Sequence, residues 1–218
     1  MKRHQAIRLL SVAVAAAAAT GAVQAQSANS LNTVKLGVTY YQTHSKTDGI
    51  TGLGVPAGAD AKVGNATTVI GTYERQIAPD VGLEVVLGVP PTIKAEGAGN
   101  VAFLGEVLSA KNVAPTVFAV YHFGQAGQTL RPYAGVGVNY TKFTGVSTPY
   151  GWKVSLTDSW GLAAQAGVDY ALSPSLGLWT SIAKVQVKSK LVAVGASVLQ
   201  STIDFRPITY SAGVSYKY

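Results

Sequence analysis

After its first 25 residues this chain holds no run of the roughly 18 consecutive apolar residues that a membrane-spanning helix requires. Its composition is nevertheless that of a membrane protein, with a mean hydropathy of +0.24 and only 12% charged residues. Inside a bilayer every backbone N–H and C=O must find a protein partner, and only helices and closed β-barrels achieve this. A barrel needs apolar side chains only at alternate positions. That alternation is present: Ile208, Tyr210, Ala212, Val214, Tyr216 and Tyr218 fall on one strand face, and Pro207, Thr209, Ser211, Gly213, Ser215 and Lys217 on the other. The first face suits lipid, the second a polar or tightly packed lumen.

The start of the chain reads as a secretory signal. Lys2, Arg3 and Arg8 precede an apolar run from Leu9 to Ala19, and Val23-Gln24-Ala25 offers a small-x-Ala site for cleavage after Ala25. Residues 1–25 are therefore expected to be a signal peptide and 26–218 a single barrel domain exported to the outer membrane. The leader carries three of the 17 basic residues and none of the ten acidic ones, so the remainder has 14 against 10, or +4. That excess is spread out, with no cluster pointing to nucleic acid. Cysteine is absent, which removes disulfides and thiolate metal sites. No metal and no cofactor are expected.

Eight strands follow from the period: Thr33–Tyr41, Ala66–Arg75, Val81–Val89, Val113–Phe123, Arg131–Phe143, Trp160–Tyr170, Leu176–Lys188 and Phe205–Tyr218. About 11 residues tilted by about 40° span the ~25 Å apolar band of an outer-membrane barrel. The links alternate in length. Gln76–Asp80, Gly124–Leu130 and Ala171–Ser175 are short, whereas Gln42–Asn65, Pro90–Asn112, Thr144–Ser159 and Ser189–Asp204 are long. Short periplasmic turns and long extracellular loops give this order. The fold class is thus all-β, an eight-stranded antiparallel transmembrane β-barrel. Two aromatic girdles are expected, Tyr73, Tyr121, Phe123, Tyr133, Tyr170, Tyr216 and Tyr218 at the periplasmic end, and Tyr40, Tyr41, Tyr140, Phe143, Trp160 and Phe205 at the outer end.

From Asp80 onward the ordered set Asp80-Val81-Gly82-Leu83-Glu84, Gly88-Val89-Pro90, Ala114-Pro115-Thr116, Tyr121-His122-Phe123, Arg131 through Thr141 with Phe143, and Ser159-Trp160-Gly161 through Gln165, Gly167, Asp169 and Tyr170 resembles the OmpW family of outer-membrane proteins, which includes AlkL-type hydrocarbon importers. The likeness is weakest in the first outer loop and in Lys188–Thr202. It implies an eight-stranded barrel, agreeing with the count above. It also implies passage of small hydrophobic molecules, taken into an apolar pocket at the outer end and released sideways because the lower lumen is blocked. The aromatic chain end resembles the signal that such barrels present to the barrel assembly machinery, an expected partner beside outer-membrane lipid and lipopolysaccharide.

The sequence offers parts for such a path. Val101, Phe103, Leu104, Val107 and Leu108 make the second outer loop apolar for a segment facing water; Ile50, Leu53 and Val55 do so in the first and Trp152 in the third. These residues either pack into an extension above the barrel or line an entrance, and both can hold together. Pro90-Pro91 lacks two ladder donors, which makes it a strand terminator or a lateral gate. A lumen plug is expected from Glu84, Gln165 and Asp169, with His122 near the periplasmic end. Lys184 joins them, with Gln186, if Trp179, Ala183, Val185 and Val187 face lipid.

Catalysis is not expected. Beyond the leader the histidines are His44 and His122. His44-Ser45, with Asp48 close by, is the tempting cluster, but adjacent residues on an extended segment point to opposite sides. A structural or adhesive role for the outer loops is the alternative function. Oligomeric state is open, because a closed barrel has no edge that needs a partner.

Overall fold

The computed structural model describes residues 31–195 and 197–218; the expected leader lies outside them. Fifteen strands form among the described residues: β1 (Asn32–Gln42), β2 (Lys46–Thr47), β3 (Ala59–Val63), β4 (Ala66–Ala78), β5 (Val81–Gly88), β6 (Thr92–Gly99), β7 (Glu106–Val113), β8 (Thr116–His122), β9 (Leu130–Ser147), β10 (Lys153–Leu156), β11 (Ser159–Ala171), β12 (Leu176–Val185), β13 (Lys188–Val194), β14 (Val198–Asp204) and β15 (Ile208–Lys217).

Eight of these, β1, β4, β5, β8, β9, β11, β12 and β15, pair antiparallel in chain order. The last closes on the first, from Thr33 opposite Lys217 to Gln42 opposite Ile208, so the wall has no free edge. The turns between β4 and β5, β8 and β9, and β11 and β12 are short and share one end. At the other end the long connections fold into seven further strands. There β3, β6 and β7 pair in series and hang from the upper part of β9. Strands β10, β13, β14 and β2 make a separate sheet. These loops are thus ordered strand extensions above the wall, and Lys188 to Val194 finds its partner in β14.

Period two decides the faces. Leu36, Val38, Leu83, Val136, Val138, Leu162, Ile182 and Val214 are exposed on the outside of the wall, as a lipid-facing band requires. Lys35, Thr39, Glu74, Glu84, His122, Asn139, Gln165 and Ser211 are buried within.

Several expectations about facing are corrected. Trp179 and Val187 are buried, and Lys184 is exposed on the outer surface, so Lys184 and Gln186 do not belong to the plug. The segment has apolar side chains on both faces, and Leu178 and Ile182 win the lipid side. Trp179 turns inward because Gly37 leaves it room: a Cβ at Gly37 would lie 2.8 Å from the Trp179 ring. Tyr133, Phe143 and Phe205 are likewise buried inside instead of joining the girdles. Tyr41 lines an inner cavity.

Candidate functional site

The interior is layered from the periplasmic end outward. At the bottom lies a charged plug centred on Lys35, whose Nζ is 3.1 Å from Asp169 Oδ1, 3.6 Å from Glu84 Oε2 and 3.7 Å from Glu74 Oε2. The ammonium also sits 4.4 Å from the centre of the Tyr133 ring, a cation–π contact. Gln165 Nε2 donates to Glu84 Oε1 at 2.7 Å, and His122 Nε2 meets Glu74 Oε1 at 2.5 Å. Below them Arg131 donates to Asp80 Oδ1 at 2.7 Å. Glycine makes the space: a Cβ at Gly82 would lie 2.1 Å from Glu74 Oε1. Buried charges are costly unless paired, and this network gathers the Lys35 ammonium, three carboxylates and His122 into ion pairs in the lower lumen.

Glu84, His122, Gln165 and Asp169 therefore meet in one cluster, while Lys184 stands outside it. The cation at its centre, Lys35, was not singled out from the sequence, nor was Glu74. A signal existed, because Lys35 shares its strand face with Gly37, Thr39 and Tyr41, opposite Val34, Leu36, Val38 and Tyr40.

Above the plug, a cavity of about 70 Å³ is lined by Thr39, Thr116, Asn139 and Thr141 together with the apolar Ile70, Phe118 and Trp179. Asn139 Nδ2 donates to Thr116 Oγ1 at 2.8 Å and Thr141 Oγ1 to Asn139 Oδ1 at 2.7 Å. Higher still, an apolar layer of Val63, Ile93, Phe143, Val187, Ile203 and Phe205 fills the cross-section. Phe143 and Phe205 stack there, ring centres 5.1 Å apart and 26° from parallel. Voids of about 10 Å³ flank them.

At the outer end opens a cavity of about 340 Å³. Val101, Phe103, Leu104, Val107, Leu108 and Trp152 line it, together with Ile50, Leu53 and Val55 from the first loop. All three loops converge because the strand extensions carry them there. Tyr150 ties the third loop to the second, its hydroxyl donating to the Leu104 carbonyl at 2.9 Å and its ring 5.2 Å from that of Trp152. Phe103 and Leu53 are 83% and 87% exposed and so form the mouth, whereas Val101 and Leu108 are buried. Leu191, Leu199 and Ile203 complete the wall and were not foreseen. Ser201 Oγ is buried at this lining without a hydrogen-bond partner.

Pro90 and Pro91 lie between the end of β5 and the start of β6. The ladder from β5 to β8 stops at Val86 opposite Thr116, and pairing resumes only with Thr92 opposite Lys111. Across that interval Asn112 N–H donates to the Pro91 carbonyl at 3.0 Å. Pro90, Pro91 and Pro115 have no N–H to contribute. Val86, Asn112, Ala114 and Thr116 border both this interruption and the inner cavity. His44 is exposed, and Ser45 Oγ accepts from the Val63 N–H at 3.1 Å.

Comparison with known proteins gives a consistent result. A family model described as the OmpW family matches residues 29–218. Outer membrane protein W of Vibrio cholerae is 31% identical over 163 residues, covering 71% of this chain and 75% of the relative. Outer membrane protein AlkL of Ectopseudomonas oleovorans is 27% identical over 168 residues, covering 77% of this chain and 73% of the relative. In structure, the outer membrane protein OprG from Pseudomonas aeruginosa superposes with a TM-score of 0.81, covering 86% of this chain and 95% of that one at 24% identity.

Proposed function

The chain belongs to the OmpW family of outer-membrane proteins, and from that premise we propose that it gives small hydrophobic molecules passive passage into the outer membrane. The observation that carries this reading is the apolar cavity of about 340 Å³ at the outer end, set above a lumen closed by charge. Its size falls within the roughly 300–1,000 Å³ usual for small-molecule sites. An apolar compound gains by leaving water for this lining, and the exposed Phe103 and Leu53 offer first contact.

Descent then requires the Phe143–Phe205 stack to part, because the voids beside it are smaller than any solute. Below it the plug opposes onward movement, since an apolar molecule cannot replace the ion pairs it would break. The way out is sideways. The interrupted ladder at Pro90-Pro91 supports an exit there, because parting the wall at that level sacrifices few backbone hydrogen bonds.

The test is protein-dependent uptake of a small alkane by proteoliposomes, comparing wild type with Phe103→Asp and Leu104→Asp. Heat-modifiable migration on a gel would verify that each barrel is folded. Loss of uptake in the folded variants is the expected result. Absence of uptake by the wild-type protein across several probe sizes would overturn the reading and turn attention to the loops as a binding surface.

A further inference from the structure

A second hollow lies outside the barrel, at the outer rim of the wall. It measures about 420 Å³ and is bordered by Trp160, Lys184, Gln186, Lys188, Asp204 and Arg206. Lys184, Gln186 and Lys188 are exposed while Val187 between them is buried, which places the hollow on the outer surface. Its height follows from register. Trp160 pairs with Tyr140, and Lys184 pairs with Ile208, two residues beyond the exposed Tyr210. Just below stand Leu162 and Ile182, 64% and 45% exposed, on the lipid-facing band. The hollow therefore opens at the boundary between acyl chains and headgroups.

Its charge is positive. Three cations face one carboxylate, Asp204, which Arg206 already engages through Nε at 2.7 Å and which stands opposite Lys46. The backbone supports a purpose for this placement. Arg206 has φ 41° and is the one non-glycine residue with positive φ among the described residues. Such a conformation is costly for a residue with a side chain and persists where surrounding structure enforces it. Here Phe205 and Pro207, on either side, are buried inward, and Arg206 is turned out to the rim.

We propose that this hollow binds the phosphate of an outer-leaflet glycolipid, with Lys184, Lys188 and Arg206 as the anion-binding groups. Charge-assisted hydrogen bonds from lysine and arginine suit a phosphomonoester, and Trp160 supplies the amphipathic ring favoured at a headgroup boundary. Leu162 and Ile182 give the attached acyl chains a surface to lie on, which a free anion would not use. The site is independent of solute passage, since none of its cations lines the outer cavity.

The experiment measures retention of lipid A by the purified full barrel in detergent, using native mass spectrometry. Lipid A bearing its phosphates is compared with dephosphorylated lipid A and with inorganic phosphate as competitor. The variant is Lys184→Gln with Lys188→Gln and Arg206→Gln. A control carries the same charge change at the exposed Lys62, Lys111 and Lys153, each replaced by Gln. We expect the phosphorylated lipid to be retained by wild type and control, and about tenfold or more weaker by the rim variant. Equal retention by the rim variant, equal retention of the dephosphorylated lipid, or equal loss in the control would each overturn the proposal. Full displacement by millimolar inorganic phosphate would also overturn it, by making the site one for free phosphate.

Discussion

Lys35 Nζ and Asp169 Oδ1 lie 3.1 Å apart in the barrel interior, joining strands β1 and β11 across the lumen. Lys35 is 1% exposed, and Glu74 and Glu84 also lie within 4 Å of it. Removing the cation therefore leaves three buried carboxylates without their shared countercharge. Lys35→Met should destabilise the barrel by about 3–5 kcal/mol, the usual cost of breaking a buried pair from one side. Urea unfolding in lipid vesicles would measure it. Asp169→Asn should cost less, because Lys35 keeps its other two partners.

The Phe143–Phe205 stack lies in the apolar layer beneath the outer cavity. Phe205→Ala should cost about 3–5 kcal/mol in stability through the cavity it leaves. On the proposed route it should nonetheless raise uptake of bulky apolar probes relative to small ones. Uptake that falls in proportion for all sizes would argue that the stack is purely structural.

At the interrupted ladder, Pro90→Ala with Pro91→Ala restores two backbone donors. If the interruption is the exit, the added N–H groups should strengthen the seam and slow release into the bilayer. Hydrogen exchange of Val86 and Gly88 would report the strengthening, and alkane uptake the consequence. Stronger protection with unchanged uptake would reduce Pro90-Pro91 to a strand terminator.

Ser201 Oγ is a buried hydroxyl without a partner at the lining of an otherwise apolar cavity. Ser201→Ala removes that unsatisfied group, and should be neutral or stabilise by up to about 1 kcal/mol. The unfolding midpoint measures this. A loss above about 1 kcal/mol would mean that the hydroxyl has a partner in the native membrane.

The backbone architecture was legible in the sequence because membrane insertion leaves few alternatives. In a bilayer, a chain with alternating apolar residues and no long apolar run must close its sheet, and short turns alternating with long loops set the direction of every strand. The terminal strand, with Tyr210, Val214 and Tyr216 outside and Ser211 and Ser215 inside, was readable residue by residue. The apolar loops were also legible, and Val101, Phe103, Leu104, Leu108 and Trp152 do share one cavity.

Facing was not legible wherever both sides of a strand are apolar. Trp179 and Ile182 are equally suited to lipid by composition, and only the room beside Gly37 assigns the tryptophan to the lumen and sends Lys184 outward. The same holds for Phe143 and Phe205, which stack across the interior from segments 62 residues apart in number and so leave no local trace. Alternation is a property of one strand and can be read along it. The pairing of Lys35 with Glu74, Glu84 and Asp169 is a property of the closed cylinder, because closure alone brings four strands' side chains to one point.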